Sequence, residues 1–198
     1  ALVSLVQGLD GVDPNRVYLM GYSAGGDGVY QLAPRLADRC AAAAMMAGHP
    51  NETRPDGLRN LPFRLFMGGD DAAYDRNKKA ADWKAELARL RDADPSGYPH
   101  EVTIYPGKGH WMDGEDREAL PWMAERARDP WPSKVVWLQD DVRGTRFYWL
   151  ELVEPGDGAD RIETGRHRGC SRRRPIACPA GRTADPAPRR RLPTTPVG

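Results

Sequence analysis

The spacing of hydrophobic positions changes repeatedly along the chain, and each change marks an element. Residues 16–20, RVYLM, form a short apolar run rich in strand formers. The turn-prone Asp13-Pro14-Asn15 leads into it and Gly21 closes it. After Ser23 the period becomes helical, with Val29, Leu32, Ala33 and Leu36 at i, i+3, i+4 and i+7. Residues 40–48, CAAAAMMAG, have helix propensity. Because they are apolar throughout and stop at a glycine, they read as a strand buried on both faces. Residues 49–61 read as a polar loop, and residues 62–67, PFRLFM, as the next strand, closed by Gly68-Gly69. Asp75 to Arg91 is expected to be a helix with Trp83, Leu87 and Leu90 on one face. Residues 100–105, HEVTIY, alternate as a strand. A last helix is expected over about Glu115 to Arg128, with Pro121 delaying its start.

This alternation of strands and helices predicts an α/β fold, a mostly parallel sheet with helices on its faces in three αβα layers. Leu2, Leu5, Val6 and Leu9 share a face, so residues 1–12 read as the end of a preceding helix. The strand at 16–20 then lacks neighbours on one side. The chain by itself is accordingly expected to be inactive and poorly soluble. Beyond residue 130, Lys134–Leu138 and Arg146–Leu152 read as two strands of a C-terminal β-hairpin, with the turn between them. Its aromatic residues Trp137, Phe147, Tyr148 and Trp149 are expected to pack. Residues 156–198, dense in Gly, Pro and Arg, are expected to be disordered. The division is therefore 1–130, an α/β unit; 131–155, a hairpin extension; and 156–198, a tail.

Charge sharpens that division. The net charge of +1 hides −6 over residues 1–158 and +7 over residues 159–198. The tail has few aromatics to stack on bases, and its composition also fits a shifted reading frame, so no nucleic-acid partner is expected. Three cysteines make no disulfide framework. Cys40 reads as a small core residue. Cys170 and Cys178, with His167 near them, fit no zinc spacing. No metal or cofactor is expected. The chain has no run of 18 apolar residues and no signal-cleavage pattern, so no membrane partner is expected and a cytoplasmic setting is favoured.

The chemistry concentrates in Gly21-Tyr22-Ser23-Ala24-Gly25, a G-x-S-x-G between a strand and a helix. There the serine sits on a strained turn with its hydroxyl exposed, and the flanking glycines are expected to relieve a backbone collision. The helix start directs N–H groups at the serine, which makes the Ala24 N–H a candidate oxyanion donor. A serine nucleophile needs a base held by an acid. In the order Ser, acid, His, the acid falls in Gly68-Gly69-Asp70-Asp71 and the base at His110 after Gly109. All three lie just past predicted strand ends, where open α/β sheets bind ligands. Asp70 and Asp71 compete for the acid role. His49 is placed to line the cleft near Ser23, and His100 starts a strand and is expected to be exposed.

With VYLMGYSAGG around Ser23, GGDDAAYDRN around the acid and GKGHWM around His110, residues 13–149 resemble the C-terminal part of bacterial α/β-hydrolase proteins of the esterase, dienelactone hydrolase and prolyl-oligopeptidase-like kind. The resemblance implies a serine hydrolase cleaving a carboxylic ester through an acyl-enzyme, with a peptidase or a non-catalytic binding protein as alternatives. It also implies that the acid is the last residue of a G-x-x-D turn, which is Asp71. The catalytic set is then Ser23, Asp71 and His110. The segment between Gly48 and Leu61 is too short for a helical lid. That implies an open cleft for a small-molecule or polymeric ester.

Overall fold

A computed structural model describes residues 5, 8–140, 144–152, 160–165 and 176–177. Its central sheet has four parallel strands: β1 (Tyr18–Tyr22), β2 (Ala42–Met46), β3 (Phe63–Gly68) and β4 (His100–Tyr105). They lie side by side in chain order, so β1 and β4 are the edges among the described residues. Gly21 does not end β1, because the ladder continues through Gly21↔Met45 and Tyr22↔Met46. Since the strands are parallel, all four C-terminal ends share one edge of the sheet.

The two faces are covered by α1 (Ala24–Leu32), α2 (Arg76–Ala93) and α3 (Ala119–Ala124). Period-two alternation in the strands feeds two separate cores. Ala43 and Met45 of β2, with Phe63, Leu65 and Met67 of β3, pack with Val29 and Tyr30 of α1 and Trp83 and Leu87 of α2. Ala42, Ala44 and Met46 pack on the other face with Phe66, Trp122 and Met123. This gives the three expected layers. Within the CAAAAMMAG segment residues Ala42–Met46 form a strand and not a helix, because both its faces are covered.

Several elements depart from expectation. Helix α1 stops at Leu32 because Pro34 lacks an N–H and cannot continue it. Leu32 is 44% exposed, and Tyr30 takes the core position, edge-on to Trp83 at 4.4 Å. Residues 55–60 form a 3-10 helix within the expected polar loop, and Asp56, Gly57, Leu58 and Arg59 are buried. The last helix begins at Ala119, after a 3-10 turn at Glu115–Glu118, and ends four residues before Arg128. Pro121 is tolerated because it falls in the first turn, where its missing N–H has no partner to lose. Residues 8–11 are turns, Leu5 and Leu9 are exposed, and the rest of the expected helix over residues 1–7, apart from Leu5, lies outside the described residues.

The C-terminal strands fall where expected but pair differently. Strand β5 (Lys134–Gln139) pairs antiparallel with β8 (Asp160–Gly165), not with residues 146–152. The hairpin forms inside the second segment instead. There β6 (Arg146–Phe147) and β7 (Leu150–Leu152) turn at Tyr148-Trp149, and β7 also pairs with β9 (Ile176–Ala177). Residues 160–165 and 176–177 are thus strands within the tail expected to be disordered; the remainder of that tail lies outside the described residues. The aromatic residues pack as expected, with Trp137 stacked on Phe147 at 5.6 Å and Tyr148 donating to the Ala37 carbonyl. Cys40 is buried, and burial, reinforced by the Asp38 charge, pushes its thiol up to about 11.

Candidate active site

Ser23 follows β1 directly and precedes α1, with φ 56° and ψ −119°. Such a backbone costs about 1–3 kcal/mol for a residue with a Cβ, so the surroundings must hold it. Its N–H donates to the Met46 carbonyl at 2.9 Å, and its carbonyl accepts from Asp27 N–H at 3.0 Å. A Cβ on Gly21 would overlap the Gly25 carbonyl, as expected of the motif. Gly25 itself is a correction, because a Cβ there meets nothing. The second tight position is Gly26, where a Cβ would overlap the Met46 carbonyl oxygen at 2.5 Å. Helix α1 therefore lies against the end of β2, and that approach aims the serine.

The acid loop leaves β3 through a tight turn in which Asp71 N–H donates to Gly68 O at 3.1 Å. Asp71 is buried and Asp70 is exposed to water. The third loop leaves β4, and Asp70 N–H donates to its Lys108 carbonyl at 2.9 Å. The two loops are thereby held together at the sheet edge.

The structure brings the three side chains into one line. His110 Nε2 lies 2.9 Å from Ser23 Oγ, and His110 Nδ1 lies 2.6 Å from Asp71 Oδ2. Asp71 is only 2% exposed in its side chain and His110 is 40% exposed, so the carboxylate is shielded while the imidazole meets solvent. Ala24 opens α1, and its N–H belongs to the first turn, whose donors have no intrahelical acceptor. Among the described residues no cluster of three or more His, Cys, Asp or Glu is arranged to hold a metal.

Two supporting residues carried no sequence signal. The Tyr22 hydroxyl donates to the His110 carbonyl, and burial raises its phenol above the usual value. Arg76 lies beside Asp71, its Nη1 3.5 Å from Oδ1. The first contact joins the end of β1 to a residue 88 positions later, and the second is made by a sharp bend within the acid loop. His49 lines a neighbouring cleft of about 590 Å³ with Asp27, Asn51, Tyr74, Arg76 and Lys79. Its ring binds Asn51, and its backbone N–H donates to Asp27 at 2.6 Å. His100 is half-buried rather than exposed, with Nδ1 2.8 Å from Tyr98 O.

Residues 1–141 match the model of the dienelactone hydrolase family. The chain belongs to the dienelactone hydrolase family. Among solved structures it resembles a thermostable esterase, with TM-score 0.53 and 21% identity over 64% of this chain and 35% of that one. A carboxylesterase from Bacillus cereus gives TM-score 0.47 and 17% identity over 62% and 56%. An S-formylglutathione hydrolase from Staphylococcus aureus gives 0.46 and 18% over 61% and 57%. The chain thus spans between about a third and three fifths of the length of these structures. The fold of this family member is the corresponding part of the α/β-hydrolase fold. No curated protein sequence matches it.

Proposed function

We propose that this protein is a serine hydrolase acting on a carboxylic ester, with Ser23 as nucleophile. The observation that carries this reading is the unbroken pair of contacts from Ser23 Oγ through His110 to Asp71. His110 Nε2 takes the hydroxyl proton as Ser23 Oγ bonds to the ester carbonyl carbon. Asp71 holds the Nδ1–H tautomer and stabilises the imidazolium. The Ala24 N–H, at the positive end of α1, donates to the carbonyl oxygen as charge develops there. His110 then returns the proton to the departing alkoxide oxygen, leaving an acyl-Ser23. Water then attacks the acyl carbon as His110 takes its proton, the bond to Ser23 Oγ breaks, and His110 gives that proton back to Ser23 Oγ as the carboxylic acid departs. Family membership supports this chemistry.

The cleft favours an accessible ester, small or polymeric. Thr53 and residues 55–59 are buried in the body of the fold, so that segment does not overhang Ser23 as a lid. An amide would be cut by the same steps, and a matched ester and anilide pair assigns the bond. The test is labelling by a fluorophosphonate probe alongside acyl-ester hydrolysis, in a protein that carries this chain together with the strands expected to flank β1. Wild type is expected to label and Ser23→Ala is not. Equal labelling of both, or none in either folded protein, overturns the reading.

A further inference from the structure

The two oxygens of Asp71 have different partners. Oδ2 meets His110, and Oδ1 faces the Arg76 guanidinium on the far side. Arg76 is itself largely buried, 13% exposed in its side chain. Its guanidinium lies over the Tyr74 ring, 4.9 Å from the centroid. The chain between Asp71 and Arg76 is bent sharply, because Tyr74 and Asp75 both take φ 56°. That bend makes Arg76 the first residue of α2 and returns it to Asp71. Asn77 closes the same loop, its N–H donating to Asp71 O at 3.1 Å and its amide to Gly69 O at 2.8 Å.

We propose that Arg76 is a positioning residue for Asp71, and this rests on the reading of Ser23, His110 and Asp71 as the reacting set. It anchors the carboxylate oxygen that His110 does not use. Held from both sides, the carboxylate keeps Oδ2 aimed at His110 Nδ1, which fixes the imidazole tautomer that accepts the Ser23 proton.

Other charges around this site are placed to matter less. In the acid loop, Asp70 is exposed and Asp75 is paired with Lys78 at 2.7 Å. From the loop after β4, Lys108 is paired with Asp113 at 2.8 Å, and Asp116 lies near the Tyr22 phenol. From the β1 side come Tyr22 and Ser23, both uncharged at neutral pH, and α1 adds Asp27, which accepts from the His49 N–H at 2.6 Å and lines the cleft beside Arg76 with His49 and Lys79. The exposed pairs are screened by water and salt, whereas Arg76 and Asp71 face each other largely out of solvent.

The test compares wild type with Arg76→Gln, Arg76→Lys and Tyr74→Ala. NMR of the labelled His110 imidazole reads the Nδ1–H proton held by Asp71, which needs no turnover, and the fluorophosphonate labelling rate is measured beside it. In Arg76→Gln the Nδ1–H proton is expected to exchange faster with water and the labelling rate to fall about tenfold. Arg76→Lys keeps the charge and is expected to restore much of both. Tyr74 is 78% exposed, so Tyr74→Ala removes the ring without opening the core and should give a smaller loss in the same direction. If Arg76→Gln fails to fold, Tyr74→Ala carries the test. An unchanged Nδ1–H signal and labelling rate in the folded variants overturn the proposal, as does a loss that Arg76→Lys does not restore. Failure of wild type to label would overturn the proposed function instead, and the NMR comparison would still stand.

Discussion

Gly21 and Gly25 are in backbone contact across the Ser23 turn: a Cβ on Gly21 would overlap the Gly25 carbonyl, whereas a Cβ on Gly25 would project into open space. The two glycines of the motif therefore have unequal roles. Gly21→Ala is expected to force the turn apart and to lower stability by about 1–3 kcal/mol, as overpacking does. Gly25→Ala sits in the first turn of α1 and is expected to change stability by less than about 0.5–1 kcal/mol, since alanine favours the helix. Urea unfolding of the two variants checks this. Equal losses would mean that the turn is not held by the Gly21–Gly25 approach.

Asp70 and Asp71 offer a second contrast between neighbours. Asp71→Asn leaves the shape intact but presents an amide to His110 Nδ1, which disfavours the tautomer that accepts the Ser23 proton. Labelling by the fluorophosphonate probe is expected to slow by about 10³–10⁴-fold. Asp70 is exposed and offers its backbone N–H to Lys108, so Asp70→Asn should label within about twofold of wild type. A comparable loss in both variants would remove the distinction that their burial suggests.

Away from the site, Arg59 grips Asp94 with two bonds, at 2.7 and 3.1 Å, and Lys134 and Ser96 add to it. The Arg59 bond, helped by Lys134 and Ser96, holds the Asp94 carboxyl well below the usual carboxylate range. A depressed folded value means that this stabilisation is complete above the unfolded value, near about 3.9. It is lost as pH falls below that value toward the folded one. Asp94→Asn is expected to cost about 2 kcal/mol at pH 7. The gap to wild type should close as pH drops from about 5 toward 2. Denaturant titrations across that range measure the gap, and a constant difference would rule out this linkage.

The elements most legible in the sequence were those whose pattern is local. Trp83, Leu87 and Leu90 mark one face of α2 by spacing alone, and all three are buried. The all-apolar run before Gly48 marked β2 because only a strand covered on both sides needs no polar positions. The partner of β5 was not legible. Residues 160–165, DRIETG, carry little apolar alternation, and the hydrogen bonds that recruit them are backbone groups common to any residue. The 3-10 helix at Pro55–Asn60 was hidden for a related reason. Its buried Arg59 looks polar in sequence and is buried only because Asp94, 35 positions later, neutralises it.

The same boundary runs through the candidate site. Sequence alone determined the residue types and their order, Ser23 then the acid then His110, and placed each after a strand, because motif spacing and strand periodicity are properties of nearby residues. The family resemblance singled out Asp71, and burial then set it apart from the exposed Asp70. Tertiary structure decided the distances between the three side chains, the approach of Gly26 to the end of β2, and the placement of Arg76 behind Asp71. The first two depend on the parallel sheet aligning its C-terminal ends, and the third on the bend at Tyr74 and Asp75. The energetics of the first two depend on contacts across the fold rather than along the chain.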